Sequence, residues 1–146
     1  MTILETAAAP YLKPLPAINP THQPFFDALR NHQFVVPKCD NCGDYNWVPY
    51  PACRSCLSEN QAWTPVSGQG TVYSYTISHR GPGAFDADVP YAIVLGELAE
   101  RPRPMLVLGN LVNYPVDQIS IGMPIQIGYL DVPDEDVTIW QWQAAG

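Results

Sequence analysis

Cys39-Asp-Asn-Cys42-Gly43 and Cys53-Arg-Ser-Cys56 decide how this chain folds. These four cysteines are the only ones in the sequence, and ten residues separate the two Cys-x-x-Cys units. Such a turn presents two thiolates from one tight loop, and two loops at hairpin distance bring four sulfurs around one point. Gly43 follows the first pair, where a left-handed backbone turns the knuckle back. The spacing predicts a rubredoxin-like zinc ribbon in which Cys39, Cys42, Cys53 and Cys56 hold one structural Zn2+ ion. Two competing readings are a pair of disulfides in a secreted chain and a redox dithiol, which usually comes singly and opens a helix. Four thiolates also suit iron, and spacing does not separate the two metals. With all four sulfurs engaged, no coordination position is left for catalysis.

Working outward, Phe34-Val35-Val36 reads as a strand entering the first knuckle. Trp47 to Pro51 leads into the second, and residues 61–66 form the exit strand. Upstream, residues 21–32 read as a short helix: Thr21 can cap it, Pro24 falls in the first turn, and Phe25, Phe26 and Leu29 make its apolar side. His22 and His32 read as surface residues, since the cysteines already supply four ligands. Residues 1–20 carry Pro10, Pro14, Pro16 and Pro20 and read as an extended arm. Its Tyr11, Leu12, Leu15 and Ile18 could lie across a partner.

Downstream of the Ser67-Gly68-Gln69-Gly70 turn the pattern becomes all-β. From 71 to 79 it alternates with period two, Tyr73, Tyr75 and Ile77 against Ser74, Thr76 and Ser78. Tyr91–Leu98, Met105–Val112, the Ile125/Ile127/Tyr129 alternation and Val137–Trp142 supply four more strands. Short strands broken by Gly/Pro turns predict a five-stranded OB-type barrel over 67–146, after a helix-plus-ribbon unit at 21–66. Residues 80–89 form a long, flexible loop between the first two strands, a place where binding often resides. Asp134, Glu135 and Asp136 read as a solvated turn.

Composition narrows the function. The 146 residues are 47% hydrophobic but only 14% charged, against about 25% in an average soluble domain. A charge-poor, aromatic-rich surface fits a subunit with a large protein contact. Net charge is −7 and the seven Lys and Arg residues are scattered, so the stripe that neutralises phosphates is missing and nucleic acid is not expected. The first ten residues lack a positive start followed by an apolar run, and no apolar stretch reaches the length of a membrane span. Free thiols in that setting predict a cytoplasmic protein.

No nucleophile elbow, triad spacing or phosphate-cradling loop appears in the sequence. His79, at a strand end beside the long loop, could act as a base near Asp86 or Asp88; a loop-anchoring or ligand-contacting role is the simpler reading. Trp47, Tyr50, His79, Arg80, Phe85, Pro90 and Tyr91 are the candidate contacts to a partner or ligand, with Trp140 and Trp142 as further anchors or core side chains.

The order of parts resembles a zinc-ribbon plus OB-fold family found beside thiolases and acyl-CoA hydratases, long known as a domain of unknown function. The resemblance rests on Pro24-Phe25-Phe26, Cys39-x-x-Cys42-Gly43, Trp47-Val48-Pro49, Cys53-x-x-Cys56, Trp63 and Val66-Ser67-Gly68-x-Gly70-x-Val72-Tyr73-Ser74-Tyr75-Thr76. Pro90-Tyr91, Gly109-Asn110-Leu111-Val112 and Ile121-Gly122-Met123-Pro124 extend it over residues 21–142. It implies a non-catalytic accessory subunit in a hetero-oligomer with a thiolase-like protein, meeting acyl-CoA through the complex. Within that set it implies the steroid side-chain aldolase type, a lyase complex. A hot-dog-fold enoyl-CoA hydratase or a thiolase-type acyltransferase or synthase is the alternative partner. An OB-fold nucleic-acid-binding protein is the alternative of another class. One departure stands out: Leu57 follows the second knuckle, where many ribbons carry glycine.

Overall fold

The computed structural model describes residues 2–146, and its elements in chain order are eight strands and one α-helix. They are β1 (Leu4–Thr6), α1 (Gln23–Arg30), β2 (Val35–Cys39), β3 (Gln61–Pro65), β4 (Gln69–Ser78), β5 (Tyr91–Leu98), β6 (Leu106–Leu111), β7 (Pro124–Val132) and β8 (Val137–Ala144). β2 and β3 pair antiparallel as the ribbon hairpin, with Val35 opposite Pro65 and Cys39 opposite Gln61.

The other strands close a barrel in the order β4-β5-β6-β8-β7 and back to β4. The β6–β8 contact is parallel and the rest are antiparallel. This is the OB-fold, mainly β with one short helix. Its core is apolar by alternation: along β5, Ala92, Val94, Gly96 and Leu98 point in and Tyr91, Ile93, Leu95 and Glu97 point out. Trp142 fills the centre, fully buried, its indole N–H donating to the Val107 carbonyl at 3.1 Å. Gly96 makes room for it, since a Cβ there would stand 2.3 Å from the indole ring.

Three sequence readings change. First, part of the proline-rich arm belongs to the sheet. β7 pairs with β4 only through Pro124–Gln126, and β1 takes over the same edge in parallel, Leu4 opposite Tyr129 and Thr6 opposite Asp131. An edge that would otherwise expose backbone donors and acceptors is thereby covered. Second, Tyr73 does not share a face with Tyr75 and Ile77. A bulge falls between Val72 and Ser74, leaving Tyr73 as the extra residue while Tyr75 and Ile77 pair with the inward Val94 and Ala92. Third, Thr21 does not cap α1. His22 occupies the cap position without a side-chain bond, and Asn19 accepts the His22 N–H through both Oδ1 and its carbonyl, each at 3.0 Å.

Candidate metal centre and partner surface

The two knuckles are built alike. Gly43 N–H donates to the Cys39 carbonyl and Leu57 N–H to the Cys53 carbonyl, each at 2.9 Å. Cys39 N–H reaches the Asp44 carbonyl at 2.9 Å, and Cys53 N–H reaches that of Ser58 at 2.8 Å. Gly43 has φ +79° and Leu57 has φ +63°, so leucine adopts the same left-handed turn as glycine.

The turns bring all four sulfurs within 4.8 Å of one another, with Cys39–Cys56 and Cys42–Cys53 both at 3.6 Å. Zinc–sulfur bonds of about 2.3 Å require tetrahedral edges of about 3.8 Å, so the cluster fits the ion. Amide donors already face the sulfurs: Cys42 N–H to Cys39 at 3.5 Å, Ser55 N–H to Cys53 at 3.4 Å, and the Asn41 amide to Cys56 at 3.4 Å. Burial raises Cys53, but Asn46 and the Cys56 and Ser55 N–H groups outweigh it and hold the thiol down to about 6. At Cys42 the Asp44 N–H lowers the value, while burial and the neighbouring thiols carry it up to about 12. The four close thiols thus compete for their protons, and metal binding, which needs thiolates, releases those they retain. The four cysteines form the site of one structural zinc ion.

Asn46, which the sequence reading passed over, braces the site. It is almost fully buried, donates through its amide to Gln61 Oε1 at 2.9 Å, and accepts the Arg54 N–H at 3.1 Å. Asparagine two residues after Asp44 is no sequence signal; only the fold makes it one.

Ribbon and barrel meet at an aromatic cluster. The Trp140 ring on β8 lies 5.5 Å from Phe25, 6.0 Å from Trp47 and 6.1 Å from Phe34, all edge-to-face. Around it, His32 Nε2 sits 2.9 Å from Asp131, Arg30 pairs with Asp136 at 2.6 Å, and Arg103 reaches Asp44 at 3.4 Å. His32 and the acidic turn at 134–136 therefore join the halves as well as meeting solvent.

The sequence-predicted contacts divide. Phe85, Pro90 and Tyr91 come together on the outer barrel face, with the Phe85 and Tyr91 rings 5.9 Å apart. Trp47 lies on the other side of Trp140, partly buried in the aromatic cluster. Tyr50 is exposed on the ribbon beside Trp63, Pro49 and Pro51. His79 and Arg80 are exposed past the end of β4. Trp142 takes the core alternative. The 80–89 loop is not free: it folds as a 3-10 turn over Gly83–Asp88, and Lys13 from the arm pairs with Asp88 and lies 5.2 Å over the Phe85 ring.

Fold and site together define a zinc-ribbon protein with an OB barrel. Residues 26–60 match the ChsH2 rubredoxin-like zinc ribbon domain and residues 63–129 match the ChsH2 C-terminal OB-fold domain. A chain of the Ltp2-ChsH2(DUF35) aldolase superposes with a TM-score of 0.80 at 31% identity, covering 90% of this chain and 100% of that one. A DUF35 domain-containing scaffold protein of Pyrococcus furiosus is 30% identical over 96 residues, 66% of this chain and 68% of the relative. A probable enoyl-CoA hydratase alpha subunit of Thermomonospora curvata is 35% identical over 125 residues, 85% of this chain but only 38% of the relative. The chain belongs to the ChsH2/DUF35 family. None of its described helices is long and apolar enough to cross a membrane.

Proposed function

We propose that this chain is a non-catalytic accessory subunit of an acyl-CoA enzyme, and that its partner is a thiolase-like aldolase. The observation that carries the reading is the end-to-end likeness to a chain of the Ltp2-ChsH2(DUF35) aldolase, with no part of that chain left unmatched. The chain's own chemistry supports it. Its cysteines are committed to metal, and several of its exposed large side chains are apolar, among them Leu12, Val48 and Tyr50. In the complex the partner breaks the Cα–Cβ bond of a β-hydroxyacyl-CoA: the β-hydroxyl loses its proton to become a carbonyl, and the α-carbon takes one up. This chain stabilises the partner and helps shape the acyl-CoA site, in a reducing cytoplasm where its thiols persist.

Co-expression with a thiolase-like protein, size-exclusion chromatography and an acyl-CoA cleavage assay test this. A stable complex whose activity disappears without this chain is expected. Two proteins that elute apart, with undiminished cleavage by the partner alone, would overturn it. The likeness to a hydratase alpha subunit favours a second reading, in which a hot-dog-fold hydratase is the partner. Water addition to an enoyl-CoA by that complex distinguishes the two.

A further inference from the structure

The outer face of β5 and β6 is apolar where a solvated strand face would normally be polar. Tyr91, Ile93 and Leu95 point outward on β5, and Leu108 on β6 is 57% exposed. Three walls rise around this floor: Phe85 on the 3-10 turn, Tyr11 and Lys13 on the arm, and Trp140 on β8. They enclose two adjacent cavities of about 500 and 350 Å3 that share Phe85, Tyr91, Asn110, Ile139 and Trp140. Volumes of this size suit a small-molecule site, and the face of the second and third barrel strands with the loop joining the first two is where OB-folds take ligands.

The charges decide what fits. Glu5, Lys13 and Asp88 are the charged residues lining the larger cavity. Lys13 is paired with Asp88 and stacked on Phe85. Glu5 accepts from Asn113 at 2.6 Å and from Gln141 at 2.9 Å. Every charge in the lining is thus engaged within the chain, and none is free for a phosphate. The larger cavity adds the amides of Asn110, Asn113 and Gln141 to its lining. The smaller one is floored and walled mainly by aromatic and aliphatic side chains, Phe85, Tyr91, Ile93, Leu108, Ile139 and Trp140, and is the apolar end of the groove.

We propose that this groove binds a neutral, apolar, ring-bearing group, and that the N-terminal arm is one of its walls, latched by Lys13 to Asp88. The assignment does not depend on which enzyme the chain accompanies. Trp140 gives it a structural consequence, because the same indole lines the groove and packs on Phe25, Phe34 and Trp47 of the ribbon side.

The test uses the full zinc-loaded chain and N-phenyl-1-naphthylamine, an uncharged ring-bearing fluorophore. Saturable, blue-shifted emission with one site per chain is expected, and excess ADP leaves it in place. Leu108→Arg puts a charge on the groove floor at an exposed position and weakens binding about tenfold or more. Ile121→Arg, exposed outside the groove, leaves binding unchanged. Lys13→Glu sets like charges against Asp88, weakens binding about threefold, and speeds amide exchange across 83–88. Emission that does not saturate, or equal losses in the Leu108 and Ile121 variants, would overturn the site and leave this face to a partner protein. Displacement by ADP would overturn the neutral ligand class. Unchanged exchange in Lys13→Glu would remove the arm from the groove's walls.

Discussion

In the barrel, Val72, Val94, Val107, Ile125, Ile127 and Trp142 are all almost completely buried; between the first and last cysteines of the ribbon only Asn46, Pro49 and the sulfurs of Cys39 and Cys53 lie inside. The barrel has an apolar interior large enough to drive its own folding. The ribbon has hydrogen-bonded turns and four converging thiols, and its folding free energy comes with the metal. The two halves depend on different conditions, and they are joined by the aromatic cluster, the packing of α1 on β8, the His32 contacts with Asp131 and Tyr129, and the Arg30 and Arg103 ion pairs.

The sharpest way to test that contrast is to remove a ligand. Cys39→Ser leaves three thiolates for a site whose metal contributes on the order of 10 kcal/mol in zinc-dependent modules. Zinc content by mass spectrometry falls to background, and amide exchange across 39–60 becomes fast, while the interior of β5 and β8 stays protected. If the barrel amides lose protection to the same degree, the halves form one cooperative unit and the contrast fails.

Trp140→Ala tests the joint. Truncating a buried tryptophan costs about 3–5 kcal/mol, and this partly exposed ring should cost about 2. More telling than the loss is its shape. Zinc release and barrel melting, followed separately by a chromophoric chelator and near-ultraviolet circular dichroism, move apart in temperature as the halves uncouple. Coincident curves at an unchanged midpoint would show that the packing of α1 on β8 and the polar contacts, not the indole, carry the coupling.

How far each half could be read from sequence follows the same division. The metal site depends on contacts within eighteen residues, Cys39 to Cys56, so spacing reveals it almost whole. The barrel strands were legible because short apolar or alternating runs are separated by Gly/Pro turns, while the every-second-residue burial of β5 shows only in the fold. What escaped was non-local or non-periodic. β1 is three residues long and pairs with a strand about 125 positions away, with no alternation to mark it. The bulge at Tyr73 interrupts an alternation that the residue types carry on regardless. Lys13 pins the 83–88 turn across a sequence distance that no local pattern spans. Trp140 and Trp142 look equivalent in sequence, yet the twofold period of β8 is not what separates them: both lie on alternate-register positions, and the barrel's closure buries one while the ribbon covers the other.

The smallest effect asks how alike the two knuckles are. Leu57 holds φ +63° without a Cβ-free backbone, which costs a non-glycine residue about 1 kcal/mol, and its side chain is 78% exposed, so little packing repays the strain. Glycine would relieve that strain but would lose about 0.5–1 kcal/mol of its own in extra unfolded-state freedom. Leu57→Gly should therefore stabilise the ribbon by no more than about 0.5 kcal/mol, about a twofold rise in zinc affinity by chelator competition. Gly43→Ala is the mirror experiment. At φ +79° nothing stands within 4 Å of the added Cβ, so its cost is backbone strain of about 1 kcal/mol, offset by the roughly 0.5–1 kcal/mol that alanine recovers in unfolded-state freedom, a net loss of no more than about 0.5 kcal/mol and about twofold in affinity. Opposite signs at the two positions mean that the knuckles share one backbone requirement and differ only in how each meets it; a loss of affinity in Leu57→Gly would mean that the leucine side chain itself supports the second knuckle.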